Sequence, residues 1–140
     1  MRLYTLLRQA SDRDIDANGH VNNIVYVQWM QDIAIAHSDA VGCTQATTAA
    51  GATWVARSHH IEYLRPAYAG DRVNVQTWVV DATRKSSSPR RYRMVRESDG
   101  AVLARGETLW VFIDTRSGRP RTIPPEVIRC FEVVPPDEEP

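Results

Sequence analysis

The sequence predicts an α+β protein in which an antiparallel sheet of about five strands wraps around one long helix. The run 24–36 is too long for a typical strand and is apolar almost all round, which is typical of a buried central helix. The segments after it have the composition of strands, and stretches rich in turn residues separate them. Packing such a sheet against the helix covers the apolar faces of both.

The first third of the chain is expected to supply one strand and this helix. Residues 2–8 are predicted to form a short strand that leads into a polar turn. Asn22 or Asn23 is suited to cap the helix, because an asparagine side chain accepts a hydrogen bond from an unpaired backbone N–H. Gly42 stands where a left-handed residue would end the helix, and 44–51 is expected to be a short helical turn or a loop.

The remainder of the chain is predicted to supply four more strands. The clearest loop lies at 82–89, and the Asp99-Gly100 pair favours a two-residue hairpin turn whose central residues have positive φ. A proline opens a last short helix that reaches about residue 131. The strands are expected at about 53–65, 72–81, 90–98 and 101–113.

Length and composition limit the classes of function. The 140 residues indicate one domain, assigned to 1–134, followed by a tail at 135–140 that is expected to be disordered. The formal net charge of zero gives no general attraction to nucleic acid or to an anionic membrane. Because no stretch reaches the roughly 18 apolar residues of a membrane span and the N-terminus lacks an apolar leader, we expect a cytoplasmic protein. Cys43 and Cys130 are expected to be reduced thiols.

The stretch 14–23 concentrates the chemistry-bearing residues. Two carboxylates, one histidine and three asparagines lie within ten residues, directly before the long helix. Such side chains are costly beside a core unless they have partners or a function. Because the N-terminus of a helix attracts negative charge, this position suits chemistry on an anion or an oxyanion.

The segment from Asp16 to Trp29 resembles the acyl thioesterases of the hotdog fold. In the 4-hydroxybenzoyl-CoA thioesterase group, an aspartate followed three residues later by glycine holds the catalytic carboxylate, and Asp16 and Gly19 match this pattern. In the acyl-ACP thioesterases, Asp-x-Asn-x-His precedes Val-Asn-Asn, and Asp16, Asn18 and His20 match it. Both similarities identify Asp16.

The resemblance implies thioester hydrolysis by Asp16, acting either as a nucleophile or as a general base for water. Asn18 and His20 would hold the water or the thioester oxygen. Neither a metal nor another cofactor is required. Asp14, in the same stretch, is expected to have a structural role. The oxyanion would be stabilised by amides at the start of the helix. These amides belong to Val21, Asn22 and Asn23.

The basic loop is a candidate for binding the phosphates of CoA, because arginine forks suit phosphate oxygens. A solvated loop without a ligand is the alternative. The candidate residues are Arg84, Lys85, Ser86, Ser87, Arg90 and Arg91.

The expected function is therefore that of an acyl-CoA thioesterase, a hydrolase of lipid metabolism that releases free acid and CoA. An acyl-ACP thioesterase is an alternative, although Pro66 and Ala67 stand where those enzymes carry a further Cys or Glu pair. A non-catalytic module that binds acyl-CoA or acyl carrier protein is a second alternative, and a hydratase or dehydratase is a third. Since a five-stranded sheet leaves edge strands and a partly apolar flank, we expect a dimer or a tetramer.

Overall fold

A five-stranded antiparallel sheet is the frame of the computed structural model, which describes residues 2–140. The strands follow the order β1-β3-β4-β5-β2, so that β1 and β2 are its edges. The expected α+β class is confirmed. The strands are β1 Tyr4–Gln9, β2 Ala52–Tyr63, β3 Arg72–Val79, β4 Ser87–Arg96 and β5 Val102–Asp114. The helices are α1 Asn23–Ala40, α2 Cys43–Ala49 and α3 Pro125–Ile128, and single 3-10 turns lie at Asp12–Asp14 and Pro136–Glu138.

Helix α1 packs across the sheet through one face. Its buried residues recur at helical spacing, and they meet apolar side chains of β3, β4 and β5 in the main core. The side chain of Asn22 accepts from the amide of Ile24 at 3.1 Å, which confirms the predicted cap, and Gly42 has a φ of 80° just beyond the helix. The buried residues are Tyr26, Trp29, Met30, Ile33, Ala34 and His37.

The opposite face of α1 is open in the single chain. Ile24 is 70% exposed and Ile35 is 52% exposed. The prediction of a helix buried on all sides is therefore wrong for one copy, because a single five-stranded sheet covers only one side of it.

Two turns differ from their predictions. Strand β4 already begins at Ser87, because 87–89 pairs with β5 beyond the point where β3 ends. Pro89 is tolerated there. A proline cannot donate a ladder hydrogen bond, and 87–89 has β5 as a neighbour on one side but is not paired with β3 on the other. The hairpin turn is longer than two residues: Gly100 has a φ of 71°, whereas Asp99 keeps a negative φ and accepts from Arg96 and from the amide of Ala101.

The C-terminal tail lies against the sheet. The carboxylate of Glu139 accepts from Trp78 Nε1 at 2.8 Å and also from Arg91, and 136–138 forms a 3-10 turn. The expectation of a disordered tail did not include the hydrogen bonds from Trp78 and Arg91, which are distant from the tail in the sequence. No helix within residues 2–140 is long and apolar enough to cross a bilayer.

Candidate active site

The turn before α1 presents Asp16 at the surface. The amide of Gly19 donates to the Asp16 carbonyl at 3.0 Å, and the amide of Asp16 donates to the His20 carbonyl at 2.9 Å. Gly19 has a φ of 78°, a conformation that glycine adopts without steric cost. The turn is thus closed by its own backbone, and it holds the half-buried Asp16 in a fixed place.

The carboxylate of Asp16 has one oxygen engaged. Its Oδ1 accepts from the backbone amide of Asn18 at 2.9 Å. Within residues 2–140 we find no arginine, lysine or histidine paired with it, and no donor to its Oδ2. An unpaired carboxylate oxygen that is oriented by its neighbour can attack a carbonyl or accept a proton from water.

Asn18 and His20 share this turn, but their side chains do not hydrogen-bond to the Asp16 carboxylate. Asn18 is exposed and reaches Asp16 only through its backbone amide. The His20 ring packs edge-on against Tyr68, with ring centroids 5.4 Å apart. The structure therefore brings the three predicted residues together without showing an assisting role for the latter two.

Two of the three predicted oxyanion donors are already bonded. The amide of Val21 donates to the carbonyl of Ala67 at 2.8 Å, and that of Asn22 donates to the carbonyl of Asp14 at 2.7 Å. Their assignment as donors to substrate is corrected on this ground. The amide of Asn23, the first residue of α1, has no acceptor among the described residues. It is thus the N–H that remains available at the helix N-terminus.

Asp14 has the structural role expected of it. Its Oδ2 accepts from the amide of Ser11 at 2.8 Å and from the Ser11 hydroxyl at 3.2 Å. Its carbonyl holds the amide of Asn22, the helix cap. Asp14 therefore positions the start of α1.

Two tyrosines support the same helix start, and no local sequence pattern indicates one of them, Tyr63. The Tyr63 hydroxyl donates to the Asn23 carbonyl at 2.9 Å, and its ring packs edge-on against the buried Tyr26 at 5.3 Å. Burial raises the pKa of both tyrosines above the ordinary value of 10.0, so that both are neutral donors near pH 7. Tyr63 comes from the far end of β2, and only the sheet brings it to α1.

Arg96 holds the segment 66–71, in which the carbonyl of Ala67 accepts from the amide of Val21. Its guanidinium donates to the carbonyl of Pro66 at 3.1 Å and to the carboxylate of Asp71 at 3.3 Å. Ala67 lies between these two residues and is fully buried. The Asp16 turn is therefore tied to the end of the sheet at which β4 finishes.

The basic loop lies at the other end of the sheet. It joins the end of β3 to the start of β4, and β4 is 10 residues long, roughly 30 Å. Arg84 pairs with Asp81 at 3.2 Å, and Lys85 is exposed. The carbonyl of Ser86 accepts from Phe112, and Ser87 belongs to β4. Within one chain this loop and Asp16 cannot contact the same small group.

The last two residues of the predicted phosphate set are engaged elsewhere. Arg90 is only 4% exposed and donates to His37 and Thr77. Arg91 binds Glu107 at 2.9 Å and also Glu139. Their assignment to a surface phosphate site is corrected, because one is buried and the other is neutralised by two carboxylates.

A cavity of about 280 Å³ lies beside the second half of α1. Trp54, Trp110 and Phe131 line it, together with hydroxyl side chains of α2 and with Arg90. It opens near the start of β2, and so it lies at the same end of the sheet as the basic loop. No cluster of three or more metal-binding side chains occurs within residues 2–140.

Comparison with known proteins identifies the family. A model of the thioesterase-like superfamily matches residues 11–131, from the turn before α1 to just beyond α3. The chain belongs to this superfamily.

The relatives of this thioesterase-like chain are longer proteins. It is 28% identical over 125 residues to an L-carnitine dehydrogenase/betainyl-CoA thioesterase of Agrobacterium fabrum, covering 89% of the chain and 25% of the relative. It is 31% identical over 106 residues to a chloroplastic dodecanoyl-[acyl-carrier-protein] hydrolase of Umbellularia californica, covering 70% and 27%. The thioesterase-like chain therefore spans about a quarter of the length of each.

Solved structures confirm the hotdog fold expected for this thioesterase-like chain. A 4-hydroxybenzoyl-CoA thioesterase superposes with a TM-score of 0.82 at 19% identity, covering 94% of this chain and 100% of that one. The 12:0-ACP thioesterase of Umbellularia californica superposes with a TM-score of 0.83 at 23% identity, covering 99% and 55%. At these identities the likeness concerns the fold.

Proposed function

We propose that the chain hydrolyses acyl-CoA thioesters and that Asp16 carries the reaction. The observation that supports this most strongly is the unpaired Asp16 oxygen in the turn that leads directly to the unbonded amide of Asn23. Family membership supports the reaction class. An acceptor for a proton, or a nucleophile, next to a donor for a developing oxyanion is the minimum that acyl transfer requires.

Two routes use the same residues. In the nucleophilic route, the Asp16 oxygen bonds to the thioester carbon, the C–S bond breaks to release CoA thiolate, and water then cleaves the anhydride. In the base route, Asp16 takes a proton from a water whose oxygen bonds to the thioester carbon, and the departing thiolate takes up the proton. Both routes consume one water and release one acid and one thiol.

The Asn23 amide would stabilise the oxyanion in either route. Its N–H lies at the positive end of α1, an 18-residue helix, so the dipole adds to the hydrogen bond. The carbonyl of the same residue is held by Tyr63. A donor that is oriented before substrate arrives needs little reorganisation when the charge forms.

A second copy would bring the two ends of the sheet together. Edge strand β2 has 12 residues, most of them exposed, including Val55 and Tyr63. If two β2 strands pair antiparallel about a two-fold axis normal to the sheet, the Tyr63 end of one copy lies beside the Ala52 end of the other. Asp16 of one copy would then face the basic loop and the cavity of its partner. Arg84 and Lys85 remain the candidates for the CoA phosphates.

The reaction class is tested by measuring thiol release from a panel of CoA esters. The panel includes acetyl, hexanoyl, dodecanoyl, 4-hydroxybenzoyl and betainyl esters, each at several concentrations. We expect turnover of at least one ester without added metal. Calorimetric binding of an ester without turnover would instead support a binding module and would contradict the proposal.

Carrier-protein esters are a second candidate substrate class. The 31% identity to the dodecanoyl-[acyl-carrier-protein] hydrolase favours their inclusion. Measuring hydrolysis of the same acyl group on CoA and on acyl carrier protein distinguishes these two substrate classes. A preference for the carrier-protein ester by more than tenfold in kcat/KM would assign the chain to that class.

A further inference from the structure

Arg90 is a buried cation whose charge no carboxylate of the described chain neutralises. It lies on β4 and is 4% exposed. Its Nη1 donates to His37 Nδ1 at 2.9 Å and to the Thr77 hydroxyl at 3.1 Å. Since an arginine N–H only donates, Nδ1 of His37 is the acceptor, and both partner atoms are uncharged. Within residues 2–140 no acidic side chain comes within ion-pair distance of this guanidinium.

The remaining contacts of Arg90 leave part of its donor fork unused. The guanidinium carbon lies 5.2 Å from the centre of the Phe131 ring, a cation–π contact. A guanidinium has five N–H donors, and two hydrogen bonds through Nη1 use at most two of them. We find no acceptor for Nε or Nη2 in the described chain. No side-chain nitrogen or oxygen of the described residues is buried without a hydrogen-bond partner, so these donors keep contact with the cavity that Arg90 lines.

The cavity provides the space for that acceptor. Arg90 lines its wall together with Trp54, Trp110 and Phe131. Its volume of about 280 Å³ is close to the lower end of the roughly 300–1,000 Å³ of typical ligand pockets. A chain of four methylenes that ends in a carboxylate has seven non-hydrogen atoms and fits within it. Aromatic walls suit the methylenes, and the guanidinium suits the carboxylate.

Asp39, the other charged residue of the cavity wall, does not reverse the preference of the cavity for a carboxylate. Asp39 is exposed and accepts from the Thr44 hydroxyl at 2.5 Å. Water screens an exposed charge, whereas the field of a buried guanidinium is screened far less. A positively charged acyl group, such as betainyl, would place its cation beside Arg90.

We propose that the cavity binds an acyl group that ends in a carboxylate, with Arg90 as its counter-ion. This inference rests on the proposed thioesterase function and names its substrate class: CoA esters of dicarboxylic acids. Arg90 would hold the far carboxylate bidentately, as planar guanidinium and carboxylate groups permit. The thioester carbonyl would then extend out of the cavity towards the Asp16 of a second copy.

Matched esters test this proposal. Adipyl-CoA and hexanoyl-CoA have the same chain length and differ by a terminal carboxylate in place of a methyl group. We expect kcat/KM to favour adipyl-CoA by about 10- to 100-fold, as for hydrogen bonds to charged groups. The variant Arg90→Met should lose this preference, whereas Arg116→Met, at an exposed turn arginine, should keep it. A preference for hexanoyl-CoA or betainyl-CoA in the wild type would overturn the proposal.

Ligand binding keeps the test independent of hydrolysis and of variant folding. Trp54 and Trp110 line the cavity, so their fluorescence should change when wild-type protein is titrated with adipate, and less with 1-hexanol, which has no carboxylate. Arg90→Lys retains the positive charge but lacks the planar guanidinium that can bind a carboxylate bidentately. Adipate should bind this variant at least fivefold more weakly than it binds the wild type. If no ester is hydrolysed but adipate binds in this manner, the proposed function fails while the carboxylate site stands. If esters are hydrolysed but adipate binds no better than 1-hexanol, the inference fails alone.

Discussion

Asp16 is oriented by a backbone amide, whereas most of the acidic side chains with contacts described within residues 2–140 bind an arginine. Asp71, Asp81 and Asp99 each have a guanidinium within 4 Å, while Asp16 has only the amide of Asn18. A hydrogen bond to one oxygen fixes the carboxylate plane without neutralising its charge. That arrangement suits a group that must react at its second oxygen.

The Asn23 amide can be removed without disturbing the helix. Proline lacks this N–H, is favoured at the first helical position, and requires an extended residue before it, which Asn22 is, with φ −60° and ψ 141°. We expect Asn23→Pro to lower kcat by about 10²- to 10³-fold, as for the loss of one oxyanion donor. The loss should appear in steady-state hydrolysis, with the circular dichroism spectrum unchanged.

The control for this variant is Asn23→Ala, which keeps the N–H and removes only the side chain. Its kcat should stay within threefold of wild type. Equal losses in the two variants would mean that the Asn23 side chain, and not its amide, matters.

The N-terminal end of helix α1 is capped by Asn22, which belongs to the short polar segment before the helix. Asn22 accepts from Ile24, and its own amide is held by Asp14. We expect Asn22→Ala to destabilise the protein by about 1 kcal/mol, the usual cost of losing an N-cap. Urea unfolding should show a lower midpoint with an unchanged slope.

Asn22→Asp is the matched control, because aspartate caps as well as asparagine and adds a favourable charge at the helix N-terminus. Its unfolding midpoint should equal or exceed that of the wild type. A stability loss in Asn22→Asp as large as in Asn22→Ala would show that the cap hydrogen bond is not the cause.

The elements that the sequence predicted well are those with a local signal. Helix α1 was found from its apolar run, and Gly42 from the need for positive φ. The start of β4 was missed because 87–89 looks like a loop and becomes a strand only by pairing with β5. In the candidate site, a motif predicts Asp16, and its catalytic role stays a prediction. The acceptor for the amide of Val21 is the carbonyl of Ala67, which no local pattern indicates.

At the scale of the whole molecule, the single chain leaves an exposed edge and an exposed helix face. Val55 on β2 is 41% exposed, Leu64 is 50% exposed, and Ile24 on α1 is 70% exposed. Exposed edge strands with apolar side chains favour pairing with another copy. The proposed shared site would bring together the cavity and Asp16, which lie at opposite ends of one sheet.

A charge on β2 tests this arrangement. We expect Val55→Glu to shift the protein from dimer to monomer in light scattering, because each copy would have to remove a carboxylate from water at the paired edge. Thiol release should fall by at least tenfold with it. Thr5→Glu, which places the same charge on the other edge strand, should change neither. A fully active monomer would contradict the shared site.

The central claim is that the Asp16 carboxylate performs the hydrolysis, and Asp16→Asn tests it most directly. Asparagine retains the shape of the side chain and an oxygen that can accept from Asn18, but it is neither a base nor a competent nucleophile. With the best ester of the panel, we expect kcat to fall at least 10³-fold in Asp16→Asn, while ester binding and the unfolding midpoint change little. Asp12→Asn, at an exposed aspartate in the same loop, should match the wild type. A kcat for Asp16→Asn within threefold of the wild type would contradict the account.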